Sequence, residues 1–247
     1  MDIVSDTGYR TDGRKCHELR RIQCKLGVYQ QADGSAYLEQ GSTKVLAAVY
    51  GPHEVRKNRS KILHDKAIVN CQYSMATFST TERKYRPRGD RKSTEFAQFL
   101  QKTFNAAILT AQYPRSQIDI YCEILQADGG NLSACINAAT LALIDAGVPM
   151  KDYVTAVAGG TLSRDLPRPI VDLNAVEESS VDGPKLTVAI LPRSEEIVLL
   201  EQTSRCHMDD FSNLIDATVR GCKDVAVILD TVVRKRIGQL SGALGWE

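Results

Sequence analysis

Histidine is scarce in this chain: there are four, His17, His53, His64 and His207, scattered along it. None of the seven cysteines stands in a Cys-x-x-Cys pair. These two absences exclude the usual zinc spacings, so neither a His/Cys metal site nor a cofactor is expected. The odd cysteine count, with several cysteines inside apolar runs, excludes a simple disulfide framework. It points to reduced thiols used as small core residues, as in the cytosol or nucleus. No apolar run reaches the ~18 residues of a membrane span. The opening "MDIVSDTGYRTDGRK" lacks the hydrophobic stretch of a secretory signal, so no membrane partner is expected. An excess of either charge is missing too: 31 Lys and Arg against 30 Asp and Glu leave +1. Global charge therefore selects no polyanion, and only local clustering could.

What is present suits a large globular core. The chain has 247 residues, of which 43% are hydrophobic and 25% charged, enough for one domain over 1–247 built from two fused halves. Strands are expected around Ala36–Glu39 and Lys44–Tyr50, joined by a Gly-Ser turn, and again over Lys66–Met75. From Ser93 onward, Phe96, Phe99, Leu100, Phe104, Ala107 and Ile108 recur at helical spacing. A strand over Ile118–Leu125 leads through a glycine pair into a helix ending near Ala146, closed by Gly147 and Pro149. The second half repeats the style, with strands at Val154–Ala158, Pro169–Leu173, Leu186–Leu191 and Ile197–Glu201. A long amphipathic helix follows, marked by residues from Phe211 to Val233. The pattern predicts a mixed α/β (α+β) chain with a duplicated β-α unit, its halves about 8–150 and 151–240. The tail "SGALGWE" is either a frayed end or a docking strand.

Three clusters bear on chemistry. Arg83, Lys84, Arg86, Arg88, Arg91 and Lys92 fall within ten residues, with Tyr85 among them for base stacking. Arg91 and Lys92 also stand where a helix is expected to start, and cations there oppose the helix dipole at about 0.3–1 kcal/mol each. An anion nearby would offset that cost. A second basic run, Arg56, Lys57, Arg59 and Lys61, extends the same path. The acidic stretch "VDLNAVEESSVDGPK" holds Asp172, Glu177, Glu178 and Asp182. Neighbouring carboxylates serve as acids, bases or metal ligands, but this spacing matches no general motif, and composition alone favours a solvated loop. Finally, "QADGGNLSAC" sets Gly129 and Gly130 between a strand and a helix, where backbone N–H groups can cradle an anion. Phosphate-handling turns usually add a cation, yet Asn131 and Leu132 follow here; a tight packing turn is the simpler reading.

Taken together, "GYRTDGR", "ADGSAYLEQGSTKVLAAVYGP", "YSMATFST", "RSQIDIYCEILQADGG", "NAATLALIDAGVPM" and "VDLNAVEE" resemble the RNase PH family of phosphorolytic 3′-to-5′ exoribonucleases. The resemblance runs from about Gly8 to Leu229 and is strongest to the ring subunits of the RNA exosome. It implies an RNase PH fold, like domain 2 of ribosomal protein S5. It also implies a hetero-hexameric ring with other RNase PH-like subunits, cap subunits with S1 and KH domains, and a separate hydrolytic nuclease. Single-stranded RNA as ligand, roles in rRNA processing and mRNA decay, and a location in nucleus, nucleolus and cytoplasm are implied as well.

The chain departs from the active members of that family at two places. The family's Asp-Gly-Gly-Thr-Arg, whose arginine holds the attacking phosphate, is here Asp128-Gly129-Gly130-Asn131-Leu132. The family's two catalytic aspartates correspond to Glu178 and, without a gap, Pro184, with Asp182 nearby but out of register. The arginine pair that grips the RNA backbone in the archaeal catalytic subunit corresponds to Arg91 and Lys92. The resemblance therefore predicts a non-catalytic ring subunit that guides RNA. The alternative is a phosphate-dependent exoribonuclease releasing nucleoside diphosphates, with Glu178, Asp182 or a partner's arginine compensating.

Overall fold

The Gly41–Ser42 corner, with Gly41 at φ +61°, reverses the chain between β2 (Gly34–Gln40) and β3 (Thr43–Glu54). A computed structural model of the chain describes residues 4–5, 8–55, 63–83, 89–161, 168–180 and 183–244. β1 (Ile22–Leu26), not anticipated from the sequence, pairs antiparallel with β2. β4 (Ile68–Met75) is followed by helix α1 (Arg91–Ala107) and then β5 (Ser116–Gln126), which lies parallel to β4 and antiparallel to β3. The first sheet thus has the order β1-β2-β3-β5-β4. Helix α2 (Asn131–Asp145) leads into β6 (Thr155–Thr161) and β7 (Pro169–Val171). The short helix α3 (Ala175–Ser180), strands β8 (Lys185–Leu191) and β9 (Glu196–Gln202), and the long helix α4 (Met208–Leu244) complete the chain. The second sheet is antiparallel, in the order β7-β6-β8-β9.

α2 packs on β2, β3 and β5 on one side and on β6 and β8 on the other. Twelve of its residues are buried, from Leu132 to Leu143, as a helix lying between two sheets requires. Its small side chains permit the close approach: a Cβ on Gly34 would lie 2.2 Å from the Ala142 carbonyl oxygen. Two of its polar residues bind β6 and its approach. Asn137 exchanges two hydrogen bonds with the Ala156 backbone, at 2.9 and 2.8 Å, and Thr140 donates to the Val154 carbonyl at 2.8 Å. α1 bridges β4 and β9, while α4 covers β6, β7 and β8. On α4, Leu214, Thr218, Cys222, Val225, Leu229 and Val233 form the buried stripe. One hydrophobic cluster runs through both sheets. The other face of the first sheet carries Tyr50 and Tyr121, with ring centroids 5.7 Å apart.

Two expectations are corrected. The first four residues of the tail, Ser241 to Leu244, continue α4 rather than fraying or forming a strand. The acidic stretch is not a solvated loop: Ala175–Ser180 is helical, and Asp172 and Glu177 are fully buried. All seven cysteines are free, with Cys122, Cys135 and Cys222 in the core. Burial pushes the thiols of Cys24 and Cys222 up to about 12, so they are protonated at neutral pH.

Candidate functional site

The acidic stretch folds around the N-terminal segment because that segment delivers two arginines into its core. The Arg20 guanidinium donates to Asp172 Oδ1 at 2.8 and 3.1 Å, and the Arg20 backbone N–H donates to Asp172 Oδ2 at 2.7 Å. Gln40 donates to Asp172 Oδ1 at 2.8 Å, so both carboxylate oxygens are engaged. Asp172 itself sits at φ +59°, a conformation that side chains rarely adopt and that this network holds in place. Arg10 forks onto Glu177, Nε to Oε1 at 2.9 Å and Nη2 to Oε2 at 3.1 Å. Burial and the neighbouring Arg14 lower the pKa of the Arg10 guanidinium, while Glu177 works against both. Glu177 also closes a reciprocal cap on α3: its N–H donates to Asn174 Oδ1 at 2.8 Å, and Asn174 N–H donates to Glu177 Oε2 at 3.0 Å. The spacing Asn174-x-x-Glu177 is a capping signature legible in the sequence, and it identifies Glu177 as structural.

Arg20 also reaches the glycine corner, donating to the Asp128 carbonyl at 2.6 Å and the Gly129 carbonyl at 3.3 Å. Gly129 and Gly130 have φ of +76° and +60°. A Cβ on Gly129 would meet the backbone at Asn174 at 2.5 Å, and one on Gly130 would meet Arg20 Nη2 at 3.0 Å. Glycine is required here by left-handed backbone and close packing. The Asp128 carboxylate accepts from Ala175 N–H at 3.3 Å, tying the corner to the start of α3.

These elements enclose a cleft of about 460 Å³. Gly129, Gly130, Asn131 and Leu132 line it together with Tyr73, Met75 and Phe96. Leu132 is 4% exposed and belongs to the core. Asn131 Oδ1 is buried with no partner among the described residues. Asp90, Lys92 and Ser93, at the start of α1, form one wall, while Glu178, Lys185, Thr187, Glu201 and Thr203 form the other. Asp90 caps α1, its carboxylate accepting from Arg91 N–H at 2.8 Å.

The predicted site residues are therefore partly assembled. Lys92, Glu178 and the Gly129–Leu132 turn share the cleft. Arg91 and Arg83 are exposed. Lys84, Arg86, Arg88 and Asp182 lie outside the described residues, as do Arg56, Lys57, Arg59 and Lys61. Pro184 is buried, and its carbonyl accepts from Thr161 N–H at 3.2 Å. The next residue, Lys185, enters the cleft instead, its ammonium donating to the Glu178 carbonyl oxygen. Sequence reasoning missed Lys185 and Glu201 because each sits at the end of a strand, and pairing register alone decides that they face the cleft. Burial raises the Glu201 carboxyl pKa, and Glu95 and Glu178 push it the same way. Among the described residues, no group of three or more His, Cys, Asp and Glu is arranged to hold a metal.

The model of the 3′ exoribonuclease family, domain 1 (RNase PH), matches residues 18–149, more than half of the chain. The chain belongs to the RNase PH family. It is 54% identical over 245 residues to the Homo sapiens protein named Exosome complex component RRP41, covering 99% of this chain and 98% of that one. Among solved structures, rice (Oryza sativa) Rrp46 superposes with a TM-score of 0.81 at 24% identity, over 91% of this chain and 100% of that one. The Archaeoglobus fulgidus exosome with RNA bound to the active site gives a TM-score of 0.74 at 20% identity, over 89% and 92%. These structural likenesses establish the RNase PH fold, whose mixture of helix and sheet agrees with the expected fold class.

Proposed function

We propose that the chain is a non-catalytic ring subunit of the RNA exosome, scaffolding the complex and lining the channel that guides single-stranded RNA to 3′-to-5′ processing and decay. The observation that carries this reading is Leu132. It occupies the position of the family's phosphate-binding arginine and is packed into the core. Leucine provides neither charge nor donor. The N-terminus of α2 alone supplies about half a positive charge, a weak substitute for a guanidinium fork against a dianion. The acid side of the cleft is altered too, with Glu178 in place of the shorter aspartate and the ammonium of Lys185 beside it. A displacement of about 1 Å in a reacting group can cost ~100-fold in rate.

The cations that contact RNA in this reading are Arg91 and Lys92, with Arg83, Lys84, Arg86 and Arg88 extending the path. Backbone phosphates are neutralised without base information, so the subunit passes RNA irrespective of sequence. Its partners are other RNase PH-like subunits in a hetero-hexamer, S1/KH cap subunits and a separate hydrolytic nuclease. It works in rRNA processing and mRNA decay, in nucleus, nucleolus and cytoplasm. The near full-length identity to an exosome component supports this assignment.

The test supplies 3′- and 5′-labelled RNA to the purified chain, alone and assembled with RNase PH-like partners, with and without inorganic phosphate. The expected result is no phosphate-dependent nucleoside diphosphate, together with salt-sensitive RNA binding by the assembled ring. Phosphate-dependent diphosphate release would establish the phosphorolytic alternative.

A further inference from the structure

Phe78 is 73% exposed, an unusual place for a phenyl ring, and the backbone beneath it is tied down. Ser79 N–H donates to the Ala76 carbonyl at 3.1 Å, closing a turn with Thr77 and Phe78 at its centre. Both ends of that turn are clipped to the end of β5. Ala76 N–H donates to the Ile124 carbonyl at 2.9 Å, and Ala127 N–H donates to the Ser79 carbonyl at 2.9 Å. The ring is therefore held out on a fixed mount rather than on a loose loop.

Beside it lies a second cavity, of about 520 Å³, lined by Phe78 together with Lys44, Ser79, Leu125 and Gln126. Thr80 and Ala127 line both this cavity and the cleft, so the two adjoin. None of the described residues lining it is acidic. The nearest carboxylate to the Lys44 ammonium is Glu39, at 3.9 Å, beyond hydrogen-bond distance. Ser79 is 4% exposed, and its hydroxyl is buried without a partner among the described residues. Gln126 adds an exposed amide. An aromatic platform, a cation and neutral hydrogen-bonding groups around a cavity of this size suit one nucleotide.

We propose that this cavity is a nucleotide subsite of single-stranded RNA, with the base on the Phe78 ring and the phosphate on Lys44, across Thr80 from the cleft. This rests on the RNA-guiding reading and adds a contact that the basic run does not supply. Stacking on a ring tolerates every base, so the subsite holds the strand without selecting its sequence.

The full chain, assembled with RNase PH-like partners, is titrated with a labelled oligouridylate and with an abasic strand of the same length. Phe78→Ala should weaken oligouridylate binding about fivefold or more, leave abasic binding unchanged and leave the salt slope unchanged. Phe78→Trp should retain the affinity. Lys44→Ala should flatten the salt slope by about 0.7. Unchanged oligouridylate binding by Phe78→Ala, or an equal loss on the abasic strand, overturns the inference and leaves the RNA-guiding reading standing. Loss of ring assembly in Phe78→Ala would make the ring a protein contact and overturns the inference in the same way. Absence of RNA binding by the wild-type ring overturns both.

Discussion

Arg20 Nη2 and Asp172 Oδ1 stand 2.8 Å apart, joining the N-terminal segment to the end of β7 beside the glycine corner. The pair is buried, and the same guanidinium holds the glycine corner through two carbonyls. A single arginine thus sets the spacing between the turn and the acidic stretch.

Replacing Arg20 with alanine should lower stability by about 3–5 kcal/mol, because it leaves the Asp172 carboxylate buried and unpaired. Denaturant unfolding measures it. A loss below about 1 kcal/mol, the scale of an exposed ion pair, would show that the pair is not the hub described here.

Arg91→Glu combined with Lys92→Glu should weaken RNA protection by the assembled ring without preventing assembly. The salt dependence should flatten by about 0.7 per lost phosphate contact. The change should not destabilise α1, since acids at a helix start gain about 0.3–1 kcal/mol each from the dipole. Nuclease protection across a salt series reads the effect; unchanged protection, or loss of the ring, would remove these residues from the RNA path.

Leu132→Arg alone should not restore phosphorolysis, because Glu178 and Lys185 remain as they are. It should also lower stability by about 1–3 kcal/mol through overpacking at the base of the cleft. Phosphate-dependent turnover by this variant would mean that the acid side of the cleft is competent.

Glu201 supplies a pH prediction. Burial and the neighbouring carboxylates Glu95 and Glu178 raise its pKa in the folded state. The folded chain then binds more protons than the unfolded chain between the ordinary carboxylate pKa and the raised one, so this group's contribution falls as pH rises through that window. Glu201→Gln should stabilise the protein at neutral pH by less than about 1 kcal/mol, given solvent screening. The gain should vanish below the ordinary carboxylate range. Thermal melts of both proteins from about pH 3 to about pH 7 measure this, and a pH-independent difference would contradict it.

The strands and helices were legible where periodicity was strong. The β2–β3 hairpin, β5, α2 and the buried stripe of α4 all follow from apolar spacing and glycine corners. β1 was missed because "IQCKL" mixes polar and apolar residues, and its place at a sheet edge comes from pairing with β2. The acidic stretch was misread because charge in sequence suggests solvent, whereas Arg10 and Arg20 bring partners from more than 150 residues away.

By itself the sequence determined most of the strands and the long helices, the glycine corner before α2 and which side chains the cleft lacks, because helical period, turn chemistry and residue identity are local properties. Only the tertiary structure decided that Asp172 and Glu177 are anchors and that Lys185 rather than Pro184 enters the cleft. Those outcomes depend on strand register and on contacts between segments remote in the chain, and neither is written in any short stretch of residues.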